Sequence, residues 1–69
     1  MPFVNIRLVK ELIADAPAKK KAAIGKRVAE TISEVTGLPP QEVWIVFEEV
    51  EAKNWYLGTN DVETLRFKK

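Results

Sequence analysis

The sequence contains no cysteine and no histidine. Without cysteine the chain forms no disulfide, and without either residue it lacks the usual ligands of a zinc site, so we predict neither a metal nor a cofactor. The absence of histidine also removes the side chain that most often acts as a base at neutral pH. A free α-amino group, with a pKa ordinarily of about 7.7–8.0, is one of the few remaining groups that can do so. The amino terminus is therefore the best candidate for a catalytic group.

The chain also lacks an excess of charge of one sign and a long apolar run. It has 11 basic and 10 acidic residues, a net charge of +1, which favours no binding to nucleic acid. Its apolar stretches are too short to span a bilayer, and its first residues lack the basic and apolar regions of a signal peptide. We therefore predict no nucleic-acid or membrane partner and a cytoplasmic location.

The size of the chain limits the core that it can bury. A length of 69 residues fits a single domain, here residues 1–69, and 46% hydrophobic residues indicate a packed chain. At this size one hydrophobic core is marginally stable, and disulfides and metals are not available to help. The sequence therefore predicts that the protein is a homo-oligomer.

Two segments alternate as β-strands do. In residues 3–9, Val4, Ile6 and Leu8 point one way and the intervening side chains, including Arg7, point the other way. Residues 42–50 are rich in β-branched and aromatic residues and predict a second strand. Because a helix connects them, the two strands should be parallel in a right-handed βαβ unit.

The connecting helix has recognisable ends. Residues 10–16 are read as a connection, with Asp15 as the N-terminal cap and Pro17 in the first turn. The helix should run to about Thr36, since Gly37 suits a C-terminal cap and two prolines follow. Two stripes run along it. The first, predicted to face the sheet, comprises Ile24, Val28, Ile32 and Val35; the second, of small residues, comprises Ala18, Ala22, Gly25 and Ala29. We interpret the small stripe as a helix contact with another subunit, the alternative being an alanine-rich solvent face.

The C-terminal segment places turn formers on both sides of Trp55-Tyr56, which predicts a small hairpin or closing loop. Residues 62–67 are compatible with a further short strand. The predicted fold class is therefore α+β: a βαβ unit with two parallel strands, one crossover helix and a small C-terminal hairpin. A two-stranded sheet is too narrow to be stable alone, so we expect oligomerisation to complete it.

Pro2 follows the initiator methionine and stands directly before the first strand. Methionine is normally removed before a small residue such as proline, which would leave a secondary amine anchored to a rigid element. Apolar neighbours or nearby cations would lower the pKa of this amine and make more of it available as a base. The alternative is that Met-Pro is merely a common start.

The order of these features resembles the 4-oxalocrotonate tautomerase family over essentially the full sequence. The features are Pro2 at the head of a strand, the amphipathic helix, Gly37-Leu38-Pro39, a second strand at 43–50 and Asn54-Trp55-Tyr56-Leu57-Gly58. The resemblance implies dimers with a four-stranded sheet backed by two helices, three of which form a hexamer. It also implies that Pro2 is the general base for keto–enol proton transfer on a small-molecule substrate, an unsaturated or 2-oxo carboxylic acid.

Carried over residue by residue, the resemblance is incomplete. Pro2 matches the base and Trp55 matches the aromatic wall that helps to lower the pKa of the proline. Trp44 stands where the family has a substrate-binding arginine on the second strand, and a tryptophan cannot form a bidentate pair with a carboxylate. The family's other arginine, after the first strand, is also missing. The usual dicarboxylate substrate is therefore in doubt.

Other residues could take part in binding the substrate. Lys10 lies close to the missing arginine, although a solvated loop lysine is the favoured reading, and Arg66 could reach a neighbouring subunit's pocket or be a surface charge. Trp44 could narrow the pocket or only pack in the sheet. Arg7 is less attractive because the alternation places it on the opposite face from Pro2. The run Lys19-Lys20-Lys21 is best read as a solvated face.

Two other classes of function remain open at this point. Pro2 could act as an acid in a hydratase or dehalogenase reaction, which needs a water-activating group that the sequence does not identify. Alternatively, the chain could be an oligomeric binding module in which Pro2 has no chemistry. A nucleic-acid module, suggested only by the lysine run, is the weakest reading.

Overall fold

Two parallel seven-residue strands form the centre of the fold. The structure is a computed structural model that describes residues 2–67. Met1, whose removal the sequence predicts, lies outside the described residues. Strand β1 (Phe3–Val9) pairs with strand β2 (Trp44–Val50) in a register that runs from Phe3 opposite Trp44 to Val9 opposite Val50. The predicted parallel pair is confirmed, and β2 begins two residues later than the sequence suggests.

The two faces of this sheet differ in exposure, as the period-two pattern predicts. On β1, Val4, Ile6 and Leu8 are half-buried beneath the helix, whereas Phe3 and Arg7 are exposed on the other face. The register continues this division on β2, where the half-buried positions are Ile45 and Phe47 and the exposed ones include Trp44, Val46 and Glu48. The sheet therefore has one face covered by the helix and one open face.

Helix α1 (Pro17–Thr36) is the predicted crossover between the strands. Its half-buried face comprises Lys20, Lys21, Ile24, Gly25, Val28, Ala29, Ile32 and Ser33, the spacing of a helix that packs on one side. Lys21 Nζ lies 2.6 Å from Glu49 Oε2 and ties the helix to β2. A Cβ atom at Gly25 would lie 3.7 Å from the ring of Phe47. Gly25 thus belongs to the sheet-facing side of the helix.

This packing corrects the predicted division of the helix into two stripes. Val35 was expected to face the sheet but is 81% exposed, because it lies in the last turn of the helix. Gly25 faces the sheet, while Ala18 and Ala22 are exposed. The proposed small-residue contact surface is therefore reduced to its N-terminal half, and its use by another subunit stays a prediction.

The ends of α1 differ from each other in how well the sequence predicts them. The N-terminal cap is Ala16 and no side chain caps this end, so the prediction that Asp15 is the cap was wrong. Asp15 instead accepts a hydrogen bond from Lys20 Nζ at 2.6 Å, which lowers the pKa of the Asp15 carboxyl. At the other end Gly37 has a φ of +82° and donates its N–H to the carbonyl of Ser33, as the sequence predicts.

The remaining segments are short turns and a hairpin. A 3₁₀ turn (Lys10–Ile13) lies within the predicted connection. Another (Ala52–Asn54) precedes strands β3 (Tyr56–Leu57) and β4 (Asn60–Asp61), which form the predicted antiparallel hairpin. The reading of residues 62–67 as a strand was wrong, because Glu63–Phe67 form a π-helical turn. Asp61 begins it by accepting hydrogen bonds from the amide and hydroxyl of Thr64.

The described chain buries very little. Within residues 2–67 only Ile13 and Ala52 are fully buried. The large hydrophobic side chains left exposed are Phe3, Leu12, Val35, Trp44, Val46, Tyr56, Leu57, Leu65 and Phe67. The exposed surface of 5362 Å² exceeds by roughly a fifth the value of about 4,400 Å² expected for a folded monomer of this mass. No helix in this part of the chain is long and apolar enough to cross a membrane.

Candidate active site

Pro2 lies at the head of the parallel pair, beside the first residue of β2. It is half-buried, and its carbonyl accepts a hydrogen bond from the Trp44 amide at 3.0 Å. This bond continues the ladder between the strands by one step, so the backbone of Pro2 is held by the sheet. Phe3 and Trp44 lie opposite each other on the open face and are 61% and 58% exposed. Pro2 is therefore held at the edge of an exposed aromatic patch.

Trp55 and Arg66 lie together in a cleft at the other end of the strands. This cleft, which we call the apolar cleft, has a volume of about 300 Å³. Its walls come from the end of β1, the turn after it, the hairpin and the C-terminal turn, and its lining residues are Val9, Leu12, Trp55, Leu57, Val62, Leu65, Arg66 and Phe67. Among residues 2–67, Arg66 is the only charged residue that lines this cleft, and it forms no ion pair there.

Several backbone hydrogen bonds fix Trp55 between the strands and the hairpin. Its amide donates to the carbonyl of Ala52 at 3.2 Å, and its carbonyl accepts from Val62 at 2.7 Å. Ala52 is 0% exposed, and its own amide donates to Glu11 Oε1 at 2.9 Å. Glu11 belongs to the turn that follows β1, so it joins the two segments that form this end of the molecule.

A second cleft, of about 480 Å³, lies on the open face of the sheet and shares Trp55 with the apolar cleft. We call it the polar cleft, because Arg7 and Glu48 line it and their side chains form an ion pair at 3.1 Å. The Arg7 guanidinium, and then the Asn5 side chain, donate hydrogen bonds that lower the pKa of the Glu48 carboxyl. A carboxylate entering this cleft would meet Glu48 as well as Arg7. The charges of the polar cleft are therefore satisfied without a ligand.

The predicted site residues thus fall into two groups at opposite ends of the sheet. Pro2 and Trp44 are together at one end, and Trp55 and Arg66 share a cleft at the other. The seven residue-to-residue steps from Pro2 to Val9 correspond to roughly 23 Å at about 3.3 Å per step. Lys10 is exposed, follows β1 directly and lines neither cleft. One chain does not bring the two groups together.

Arg7 and Glu11 both lie near Trp55 in the structure, a placement that the sequence does not predict. The alternation correctly places Arg7 on the face away from the helix, but only the structure puts it in a cleft with Trp55. Glu11 carries no recognisable motif, because its partner is a backbone amide 41 residues away. No sequence signal in a single chain marks such a contact.

Comparison with known proteins agrees with this architecture. The family model described as "Tautomerase enzyme" matches residues 2–64. A relative named "Probable tautomerase K2", from Dickeya dadantii (strain 3937), is 35% identical over 66 residues, covering 96% of this chain and 94% of that protein. The crystal structure of DmpI from Helicobacter pylori superposes with a TM-score of 0.73 at 25% identity, covering 99% of this chain and all of the other.

Proposed function

The chain belongs to the tautomerase family, and we propose that after removal of Met1 it catalyses keto–enol proton transfer with the Pro2 nitrogen as general base. The substrate in this proposal is an unsaturated or 2-oxo carboxylic acid. The base takes the proton from the enol oxygen and delivers it to the carbon next to the new carbonyl carbon, or moves it in the reverse direction. No oxidant or cofactor is needed, because the numbers of atoms and electrons in the substrate do not change.

The position of Pro2 is the observation that supports this proposal best. The Trp44 amide donates a hydrogen bond to the Pro2 carbonyl at 3.0 Å. The pyrrolidine ring is therefore attached to a backbone that the sheet holds in place. A secondary amine with a pKa near 8 is roughly one-tenth neutral at pH 7, and lowering its pKa by about one unit makes about half of it available, at a cost of about 1.4 kcal/mol. In the proposed assembly, apolar surface of another subunit that covers Pro2 would disfavour the charged amine and act in this direction.

Apart from Trp44, which lies beside Pro2 in the same chain, the remaining groups of the site are proposed to come from another subunit. Trp55 would supply an apolar wall and Arg66 would bind the substrate carboxylate. Trp44 would limit the width of the site beside Pro2, and Lys10 would add positive charge at its rim. Because Pro2 and Trp55 lie at opposite ends of β1, this assignment requires two chains at each site.

The unpaired edges of the sheet suggest how two chains meet. Within residues 2–67, β1 and β2 pair only with each other, so each has one free edge. When equivalent edge strands pair around a two-fold axis they run antiparallel, which places the start of one strand beside the end of the other. Pro2 of one chain would then approach Trp55 of its partner. We propose a trimer of such dimers, since the exposed hydrophobic residues of the open face, among them Phe3, Trp44 and Val46, would still need to be covered.

The catalytic proposal is tested by comparing Pro2→Ala with the unaltered enzyme in a ketonisation assay on enolic phenylpyruvate. Intact mass should first establish that Met1 is absent. General base catalysis typically contributes 10²- to 10⁴-fold to a rate, so we expect kcat/KM to fall by about 100-fold or more. Pro40→Ala, at an exposed proline in the turn before β2, is the matched control and should retain activity. Equal activity of Pro2→Ala and Pro40→Ala would refute the role of Pro2.

The same experiment separates the competing classes of function. A binding module should give no turnover with any of these proteins. A hydratase or dehalogenase should consume an unsaturated or halogenated acid with incorporation of water, whereas a tautomerase leaves the mass of its substrate unchanged.

The shared site is tested by sedimentation and by NMR on mixed oligomers of labelled and unlabelled chains. Isotope-filtered spectra should contain contacts between the Pro2 ring of one copy and the Trp55 indole of another. A stable monomer in sedimentation, or an oligomer in which Pro2 and Trp55 make no contact between chains, would contradict the arrangement.

A further inference from the structure

We propose that the apolar cleft selects carboxylic acids that have a single carboxylate and an apolar body, with the carboxylate bound by Arg66. This inference rests on the proposed function, because it assigns the substrate class of the same site. It concerns the binding of the substrate rather than the proton transfer.

The charges around Trp55 favour the apolar cleft over the polar cleft as the carboxylate site. In the polar cleft, the guanidinium of Arg7 is occupied by Glu48 at 3.1 Å, so an incoming anion has to displace a carboxylate. In the apolar cleft, Arg66 has no acidic neighbour among the lining residues and forms no ion pair within the described chain. A guanidinium without a partner binds a carboxylate with two parallel hydrogen bonds.

The other residues that line the apolar cleft determine which chemical group the ligand can carry at its end away from Arg66. Apart from Arg66, the described residues that line the cleft have aliphatic or aromatic side chains, with Leu12 and Leu65 on its walls. Among residues 2–67, a second carboxylate of the ligand would lie against these groups with no cation or polar side chain to pair with it. Removing a charge from water without a partner is strongly unfavourable. The cleft should therefore reject dicarboxylates of similar length.

The size of the cleft fits a ligand of this kind. Its volume of about 300 Å³ is at the lower end of the range typical for small-molecule sites, about 300–1,000 Å³. A cavity of about 150 Å³ already accommodates benzene. An aromatic ring with a two- or three-carbon acid chain can therefore fit, with the ring against Trp55 and the acid towards Arg66.

Binding of unreactive probes tests the inference. The probes are 3-phenylpropanoate, its uncharged amide and the dicarboxylate adipate, and their dissociation constants are measured by calorimetry on the full-length oligomer. We expect 3-phenylpropanoate to bind at least about ten times more tightly than adipate. We expect the acid to bind roughly five times or more tightly than the amide, the order of magnitude of one charged hydrogen-bonding contact at a partly exposed site.

The variant Arg66→Gln should abolish this preference for the acid over the amide while leaving the affinity for the amide unchanged. Arg27→Gln removes an arginine on the exposed side of α1 and is the matched control, in which the preference should persist. A loss of structure in Arg66→Gln would weaken the binding of the acid and of the amide alike. The ratio of their two dissociation constants therefore reports only the recognition of the charge. Arg66→Lys should restore part of the preference, because it restores the positive charge.

The inference would be overturned if adipate bound as tightly as 3-phenylpropanoate, if no probe bound, or if the acid-to-amide ratio were the same in Arg66→Gln and Arg27→Gln. Repeating the titrations on Pro2→Ala separates it from the catalytic proposal. Loss of turnover with unchanged selectivity would support both. Unchanged turnover with unchanged selectivity would refute the role of Pro2 and leave the assignment of Arg66 standing.

Discussion

Replacing Glu11 by alanine removes the acceptor for a buried backbone amide. The Ala52 N–H donates to Glu11 Oε1 at 2.9 Å, and Ala52 is 0% exposed, so water cannot take the place of the carboxylate without local rearrangement. The same short turn positions the Trp55 amide against the Ala52 carbonyl. The substitution therefore acts on the segment that carries the aromatic wall of the proposed site.

The expected loss of stability follows from the cost of an unsatisfied buried donor. That cost is about 1–3 kcal/mol, greater than the net value of the hydrogen bond itself. For a domain of this length each kcal/mol corresponds to a change in Tm of roughly 4–8 °C. Glu11→Gln keeps an acceptor oxygen at the same place but loses the charge. Since charged hydrogen bonds are about twice as strong as neutral ones, this variant should recover about half or more of the loss.

Guanidinium unfolding at fixed protein concentration measures these differences, and amide hydrogen exchange at Ala52 measures the local effect. Concentration is held constant because association stabilises an oligomer by mass action. Glu30→Ala is the control: Glu30 is an exposed helix carboxylate with no hydrogen bond or ion pair in the described structure, and its removal should change stability by less than about 0.5 kcal/mol. If Glu11→Ala matched this control, or if Glu11→Gln were no better than Glu11→Ala, the reasoning would be refuted.

Two further predictions concern the sheet. Gly25→Ala should stabilise the protein by up to about 1 kcal/mol in guanidinium unfolding, because alanine is the better helix former. The added Cβ would lie 3.7 Å from the Phe47 ring, which is an ordinary contact. Dissociation of the oligomer on this change would instead indicate a subunit contact at Gly25. The Arg7–Glu48 pair holds the pKa of Glu48 below its ordinary value of 4.5, so its stabilising effect is present above that pH and is lost as the pH falls through the lower, folded-state pKa. The stability of Arg7→Gln should therefore converge with that of the unaltered protein below about pH 4.5, and a constant difference between pH 6 and pH 3 would contradict this.

The parts of the fold that the sequence predicts are those that depend on local chemistry. Alternation identifies the half-buried face of β1, and Gly37 ends the helix with a φ of +82° because a residue without a Cβ accepts this conformation. Asp15 was wrongly predicted as a cap because Lys20, five residues later, binds its carboxylate. The turn at Glu63–Phe67 did have a local signal: Asp61 caps the Thr64 amide, the spacing of a helix N-terminus, and this outweighs the strand-like alternation of residues 62–67.

The parts of the candidate site that the sequence does not predict depend on long-range contacts. The pairing of Trp55 with Arg66 in one cleft requires the hairpin and the C-terminal turn to fold back on the end of β1. The contact of Glu11 with Ala52 crosses 41 residues and involves a backbone group that every residue except proline carries. Neither depends on a periodic pattern, so inspection of one sequence cannot find them.

The small size of the core within residues 2–67 and the incompleteness of the candidate site have the same structural origin. A sheet of two strands has one helix to cover one face, which leaves aromatic residues such as Trp44 exposed on the other. The same two strands separate Pro2 from Trp55 by the length of β1, so one chain cannot place the proposed base and the proposed apolar wall on the same substrate. A partner whose edge strand runs antiparallel to β1 would extend the sheet and, by the same symmetry operation, bring the second chain's Trp55 towards Pro2. In the proposed assembly, association and formation of the active site are therefore one step. A substitution at a free sheet edge would then impair catalysis without touching the substrate.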